Sequence, residues 1–346
     1  MECCVAGKTT LLDLLAGRKR AGKISPQSQI LYDGERPTAK YLRRHVGYVE
    51  QHDTLLSMMT PYEMLLYTAE LKHSRFQSMS EKQAQVMQLI EKLNLTDCKD
   101  TVIGSIAKRG ISGGEAKRTN IGIALISDPA VLYIDELTSG LDSFTGHEVA
   151  LAVKTLSGTG ITICATLHSP PAYTFELFDR ILLLQHGQIV YFGPNGSSSM
   201  DYFARTFPQL RGVRQTEGIA DFLLDVTTKA NKDKVQAAKF IESYSKSDLF
   251  QLNMCIIEAK SVKPCRMLEQ SDVEARGEGS SPSTFNVASK TDLGYSDGVR
   301  TINPMWWALY VMWRHRSLKV YRQPSFIAPR VFDKVMIVFL VVTLWW

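Results

Sequence analysis

Several features that would settle the class of this chain at once are absent from its sequence. Its six cysteines, Cys3, Cys4, Cys98, Cys164, Cys255 and Cys265, are scattered and form no CxxC pair. That argues against a metal-ligating ribbon and fits a reduced, cytosolic domain. The adjacent Cys3-Cys4 could carry a lipid, but no modification motif accompanies them, and free thiols are the simpler reading. No signal-peptide pattern is visible, and Met1 is followed by acidic Glu2. Charge of one sign is not in large excess. The net charge of +5 requires no nucleic-acid partner, and none is expected. The uncharged run Val335–Trp346 is shorter than the roughly 20 apolar residues that a bilayer crossing takes.

What is present is enough to build a core. The chain has 346 residues, of which 45% are hydrophobic, so it can hold one large domain or two ordinary ones. Thr9 to Arg18 reads as a helix with Leu11, Leu12, Leu14 and Leu15 inward and Gly17 as its stop. Gln29–Tyr32 before Asp33-Gly34 reads as a strand entering a turn, and Val46–Val49 as another strand. Residues 60–128 turn helical. Thr60-Pro61-Tyr62-Glu63 is a capping box with Pro at the first helical position, Leu65, Leu66 and Ala69 supply an apolar face, and Ser80 is read as the cap of the next helix. Val86, Met87, Leu89, Ile90 and Leu93 then recur at helical spacing. Val131–Ile134 and Ile161–Ala165 are charge-free, β-rich runs of the kind found in buried parallel strands. Ile181–Leu184, His186-Gly187 and Ile189–Phe192 read as a hairpin. The order is α/β, an inserted helical block, then α/β again.

Residues 231–303 read as a partly disordered linker, most polar and rich in Gly, Ser, Asp and Pro over 271–303. From Pro304, Trp306, Trp307, Tyr310, Trp313, Leu318 and Tyr321 alternate with Arg314, Arg316 and Lys319. An amphipathic helix at a membrane interface is expected over 304–334. The basic and aromatic flank before Val335–Trp346 suggests the start of a transmembrane helix, with a buried strand or helix as the plainer alternative.

Four short segments carry chemistry. Gly7-Lys8-Thr9-Thr10 matches the end of a GxxxxGK[ST] loop, whose backbone N–H groups wrap phosphates. Lys8 would reach the β- and γ-phosphates and Thr9 would ligate Mg²⁺, at a helix N-terminus that favours anions. Taken alone, it could equally be an ordinary helix start. Asp135-Glu136 follows an apolar strand, where the Asp would hold Mg²⁺ and the Glu would polarise water, unless the pair only opens a turn. Ser112-Gly113-Gly114-Glu115 is a capping box, and its two glycines are poor helix formers that leave the backbone bare for a second phosphate. His168 follows an apolar strand, and a lone histidine is more often structural.

Together these residues resemble ABC transporter ATPases. ISGGEAKR resembles their signature motif, VLYIDELTSGLDS their Walker B and D-loop, TLHSPP their switch-histidine segment and YVEQHD their Q-loop. Arg109-Gly110, Phe178–Leu184, Val190–Pro194 and Ala220–Val226 narrow the resemblance to the G subfamily, of the White and pleiotropic-drug-resistance type. The resemblance implies an α/β P-loop NTPase of ABC type over residues 1–230 with an inserted helical subdomain. It also implies ATP and Mg²⁺ as cofactors. By the same resemblance Gly7, Lys8, Thr9 and Thr10 hold the triphosphate. Thr9, Gln51 and Asp135 surround the metal, Glu136 is the general base, and His168 contacts the γ-phosphate. Ser112, Gly113 and Gly114 would bind the γ-phosphate of ATP held on a second nucleotide-binding domain, identical or related, and Asp142 lies in the loop that communicates across that dimer. A transmembrane domain and membrane lipid are implied as further partners, giving a membrane protein with a cytosolic nucleotide-binding domain. ATP-driven export of an apolar or amphipathic molecule follows as the expected function. A soluble ATPase of the same superfamily acting on ribosomes or nucleic acid, or a catalytically silent dimerisation partner, are the alternatives. The chain departs from the pattern at Glu2, Cys4 and Val5, where Gly, Ser and Gly are expected, and at Leu137, where Pro is usual. The departures in the loop suggest a chain that starts within its phosphate loop, and the short apolar run Val335–Trp346 one that stops within its first transmembrane helix.

Overall fold

A computed structural model describes residues 7–18, 25, 28–105, 109–206, 223, 234–262, 303–321, 329 and 331–338. In chain order the elements are α1 (Lys8–Leu15), α2 (Ala39–His45), β1 (Val46–Val49), α3 (Pro61–Lys72), α4 (Met79–Lys92), α5 (Gly113–Leu125), β2 (Val131–Ile134) and α6 (Ser143–Ser157). They continue with β3 (Thr162–Ala165), α7 (Ala172–Phe175), β4 (Arg180–Gln185), β5 (Gln188–Pro194), α8 (Ser197–Thr206), α9 (Lys234–Ser245), α10 (Asp248–Val262) and α11 (Met305–Tyr321). The chain divides into two compact units, Met1–His52 with Asp128–Leu293, and Asp53–Ser127 with Gly294–Trp346.

The first unit is built on a parallel sheet in the order β1-β2-β3, with Val49, Ile134 and Ala165 in register. β2 is central, and its Leu132 and Ile134 are fully buried. β3 is half exposed along its length, because among the described residues it ends the sheet. Burial on both sides, expected for both strands, therefore holds for β2 alone. α1 lays Leu12 and Ala16 on Tyr133, with Leu15, Val46, Tyr48 and Val131 around them. α1 stops at Leu15, and Gly17 leaves it at φ +68°, the left-handed geometry that glycine adopts without strain.

Gln29–Tyr32 does not form the expected strand; only a single bridge joins Tyr32 to Glu35 across the Asp33-Gly34 turn. The Tyr32 side chain supplies the anchorage that a ladder would have given. Its hydroxyl donates to the Leu15 carbonyl at 2.8 Å and lies 2.9 Å from the Tyr133 hydroxyl. The β4–β5 hairpin forms as expected. His186 and Gly187 both take positive φ, 49° and 76°, as a two-residue primed turn requires.

Part of the segment expected as linker is folded. α9 and α10 lie within it, and Phe240 of α9 joins Phe203, Tyr191, Val190 and Ile181 in one apolar cluster. Asn253 of α10 donates to the Phe192 carbonyl at 2.8 Å, tying that helix to β5. Residues 263–302 lie outside the described set.

The second unit is helical. Leu65, Ile90, Leu93, Leu95 and Ile121 are fully buried at its centre. Gly122 of α5 permits the close packing there: an added Cβ would meet the Leu65 side chain at 2.9 Å. The capping box at Thr60 forms with Pro61 at the helix start. The next helix is capped by Ser78, not Ser80, because Glu81 is the residue placed to close a box with Ser78. α11 belongs to this unit and docks on α3. Glu70 of α3 is 1% exposed. Its carboxylate lies 3.0 Å from His315 Nε2 and 3.4 Å from an Arg314 nitrogen, and its carbonyl accepts from Trp307 Nε1 at 3.1 Å. Asn303 closes the end of α3, donating to the Leu71 and His73 carbonyls and accepting from the Arg75 N–H. Among the described side chains of α11 only Val311 is fully buried; Met305, Trp306, Leu309 and Trp313 are largely exposed. Residues 331–338 are helical and exposed, and 339–346 fall outside the described residues. Among the described residues no helix is long and apolar enough to cross a membrane.

Candidate functional site

The site lies where β1, β2 and β3 end in the first unit. α1 begins there with Gly7 at φ +81°, and its first turn has no side-chain cap. Its leading N–H groups are therefore available to an anion, and the helix dipole favours one. Lys8 Nζ donates to the Leu167 carbonyl at 3.1 Å, just beyond β3. Thr9 Oγ1 donates to Asp135 Oδ1 at 3.1 Å, just beyond β2. Thr10 is exposed on the same turn.

Asp135 is 3% exposed, so its carboxylate needs partners in place of water. It has two hydroxyl donors, Thr9 and Thr166, the latter at 2.8 Å. Thr166 also accepts from the Glu136 N–H at 2.6 Å. One hydroxyl thus bridges the two acids, and it follows β3, the strand beside theirs. Glu136 sits at φ +49°, a conformation a non-glycine residue holds only when its surroundings impose it. Its carboxylate accepts from Gln51 Nε2 at 2.7 Å, and Gln51 lies just past β1. Thr9, Gln51, Asp135 and Glu136, recognised from three separated stretches of sequence, are thereby joined in one hydrogen-bond path, and Lys8 is tied to the carbonyl of Leu167, the residue after Thr166. His168 is exposed two residues beyond Thr166, and the next residue, Ser169, is also at positive φ, 46°.

Asp142 caps α6, accepting from the Thr145 N–H at 3.1 Å. Hydrogen bonds from Thr145 hold its carboxyl below the usual carboxylate range. Ser112, Gly113 and Gly114 belong to the second unit. Ser112 caps α5, and Glu115 closes the box by accepting from both the Ser112 N–H and its hydroxyl at 2.7 Å. Burial alone would raise the Glu115 carboxyl, but the two Ser112 bonds, a bond from Cys98 and the charge of Arg118 together hold the group low. Ser112 and Gly113 are exposed, and Gly114 is buried. Among the described residues no group of three or more His, Cys, Asp or Glu could hold a metal by itself.

Three structural roles escaped the reading of the sequence. Thr166 stood in a recognised segment, but only the adjacency of β2 and β3 shows that it bridges the acids. The Leu167 carbonyl is backbone and leaves no signal in residue type. Gly110 is required by packing. A Cβ there would meet the Ile103 carbonyl oxygen at 2.1 Å, so only glycine lets the segment before Ser112 lie against Val102 and Ile103.

A glycine-led helix start beside a buried Thr–Asp pair at the ends of parallel strands defines a nucleotide-binding domain of the P-loop class. The family model described as "ABC transporter" matches residues 6–139. The chain carries an ABC transporter ATP-binding domain of the G subfamily. It is 30% identical to ABC transporter G family member 14 of Arabidopsis thaliana over 99% of this chain and 49% of that protein. It is 39% identical to Protein white of Drosophila melanogaster over 58% of this chain and 29% of that protein. A solved nucleotide-free ATP-binding cassette from an ABC transporter aligns with 57% of this chain and 79% of its own, at 21% identity and a TM-score of 0.46. The chain spans about half the length of the first of these relatives.

Proposed function

We propose that this chain binds and hydrolyses ATP as the motor part of a membrane exporter for an apolar or amphipathic substrate. The observation that carries the reading is the continuous hydrogen-bond path Thr9–Asp135–Thr166–Glu136–Gln51. It joins the residues that would contact phosphate, cation and water.

The donor set suits ATP with Mg²⁺. Mg²⁺ takes one or two protein oxygens and fills its shell with water and phosphate oxygens, so a single buried carboxylate with a threonine hydroxyl is an appropriate pair. Thr9 and Asp135 would hold the ion, with Gln51 at its edge, and the ion would supply charge neutralisation on the phosphates. Gly7, Lys8 and Thr10 would hold the triphosphate. Lys8, now on the Leu167 carbonyl, would turn to the phosphates, exchanging a neutral acceptor for a charged one. Glu136 would accept the proton of the attacking water, with Gln51 orienting the carboxylate, and His168 would contact the γ-phosphate.

Ser112, Gly113 and Gly114 would serve a nucleotide held on a second such domain, identical or related. Asp142 would report across that interface. α11, with exposed tryptophans among basic residues, would lie at the membrane surface and join a transmembrane domain. The protein would then be membrane-bound, with this domain in the cytosol.

The decisive comparison is Glu136→Gln. Nucleotide binding, followed with a fluorescent ATP analogue, should persist, while phosphate release falls about 10²–10⁴-fold. Unchanged turnover would remove Glu136 from its role.

A further inference from the structure

Among the described residues of the second unit, the most exposed aromatic is Phe76, at 82%. It lies in the six-residue turn between α3 and α4, where its N–H donates to the Ser74 hydroxyl. Burying a phenylalanine is worth more than almost any other single contact, so a fully presented one in a shaped turn calls for an occupant.

Three observations tie this turn to α11. The Arg75 N–H donates to Asn303 Oδ1 at 2.9 Å, two residues before α11 begins. The Arg75 guanidinium stands 4.6 Å from the Phe76 ring centre and 5.4 Å from the Trp306 ring centre. Met305, Trp306 and Leu309 are themselves 79%, 57% and 58% exposed. An arginine held between two exposed aromatic rings, on a scaffold fixed by backbone hydrogen bonds, makes turn and helix one surface. Neither residues 73–78 nor residues 303–321 include an acidic side chain. Their only charges are positive, so an anionic layer with an apolar layer beneath it is the complementary surface.

We propose that the α3–α4 turn is a second lipid-contacting element, inserting Phe76 into an anionic bilayer surface beside α11 while Arg75 pairs with lipid phosphate. This rests on the reading of α11 as interfacial and extends it to a turn more than two hundred residues earlier in the chain.

The test uses the full chain with vesicles of phosphatidylcholine and phosphatidylserine in equal parts, followed by amide hydrogen exchange. Residues 74–78 and residues 305–313 should both slow when vesicles are added. Slowing of 305–313 alone overturns the second contact and leaves the interfacial helix standing. No change in either segment overturns both. In flotation with the same vesicles, Phe76→Ser should weaken partitioning about tenfold, the loss expected for one buried aromatic ring. Arg75→Gln should reduce the preference for phosphatidylserine over phosphatidylcholine alone, with Arg314, Arg316 and Lys319 of α11 keeping the remainder. Both positions are on the surface, so the melting temperature should stay put, and wild-type partitioning by Phe76→Ser would refute the proposal.

Discussion

Replacing Thr166 by valine isolates the hydroxyl that poses the two acids. Valine keeps the shape, so packing changes little at a residue that is 7% exposed. What goes is the donor to Asp135 at 2.8 Å and the acceptor for the Glu136 N–H at 2.6 Å. A hydrogen bond to a charged group contributes about 1.5–3 kcal/mol, and a buried N–H left without an acceptor costs about 1–3 kcal/mol. The two losses share one side chain and are not additive, so about 2–4 kcal/mol is the expected destabilisation. Glu136 should also drift from φ +49°, which that bond helps to hold. Urea unfolding followed by circular dichroism should show an earlier midpoint with an unchanged slope. Thr166→Ser keeps the hydroxyl and should lose no more than about 1 kcal/mol, the worth of one methyl. If the valine variant unfolds at the wild-type urea concentration, the bridge contributes nothing and the account of how the acids are posed fails.

Glu115 makes the stability of α5 depend on acid. Its folded pKa is below the unfolded value, so its contribution is complete above about pH 4.3 and fades as pH falls through the folded pKa. Urea midpoints measured against pH should show this slope in the wild type and lose it in Glu115→Gln; parallel profiles would count against the box. Glu70→Ala strips Arg314 and His315 of their shared acceptor. Breaking a buried pair can cost about 3–5 kcal/mol, but Arg314 is 42% exposed and can rehydrate, so about 1–3 kcal/mol is expected. Limited proteolysis should then cut α11 sooner, and an unchanged cleavage pattern would show that Glu70 does not fasten it. Gly110→Ala drives a Cβ into the Ile103 carbonyl, a backbone atom that cannot swing aside. A loss of more than about 3 kcal/mol, read by thermal melting, is the expected result, and a neutral outcome would contradict the packing described.

Local rules carried much of the reading. The boxes at Thr60 and Ser112 depend on residues three apart, so spacing alone announces them. The His186-Gly187 turn is equally local. Where two local rules competed, the sequence misled: Ser78 and Ser80 both stand at the start of the fourth helix, and the partnership with Glu81 chose Ser78 as its cap. The strand read at Gln29–Tyr32 failed because Tyr32 found its partners on α1 and β2, beyond any local window. Thr166 went unassigned for the same reason. Its partners are 31 and 30 residues away, across a strand pairing that residue types do not disclose.

The amino-acid sequence by itself determined which chemical groups are present and which helix starts and turns display them, since capping, glycine geometry and apolar period act within a few residues. Tertiary structure decided which groups meet. Parallel strands from distant parts of the chain set Gln51, Asp135 and Thr166 side by side, and a buried glutamate drew α11 onto α3 across more than two hundred residues. Partner choice over such distances is fixed by burial and register. A carboxylate taken out of water must accept from whatever donors the packing brings, and only the folded chain says which those are.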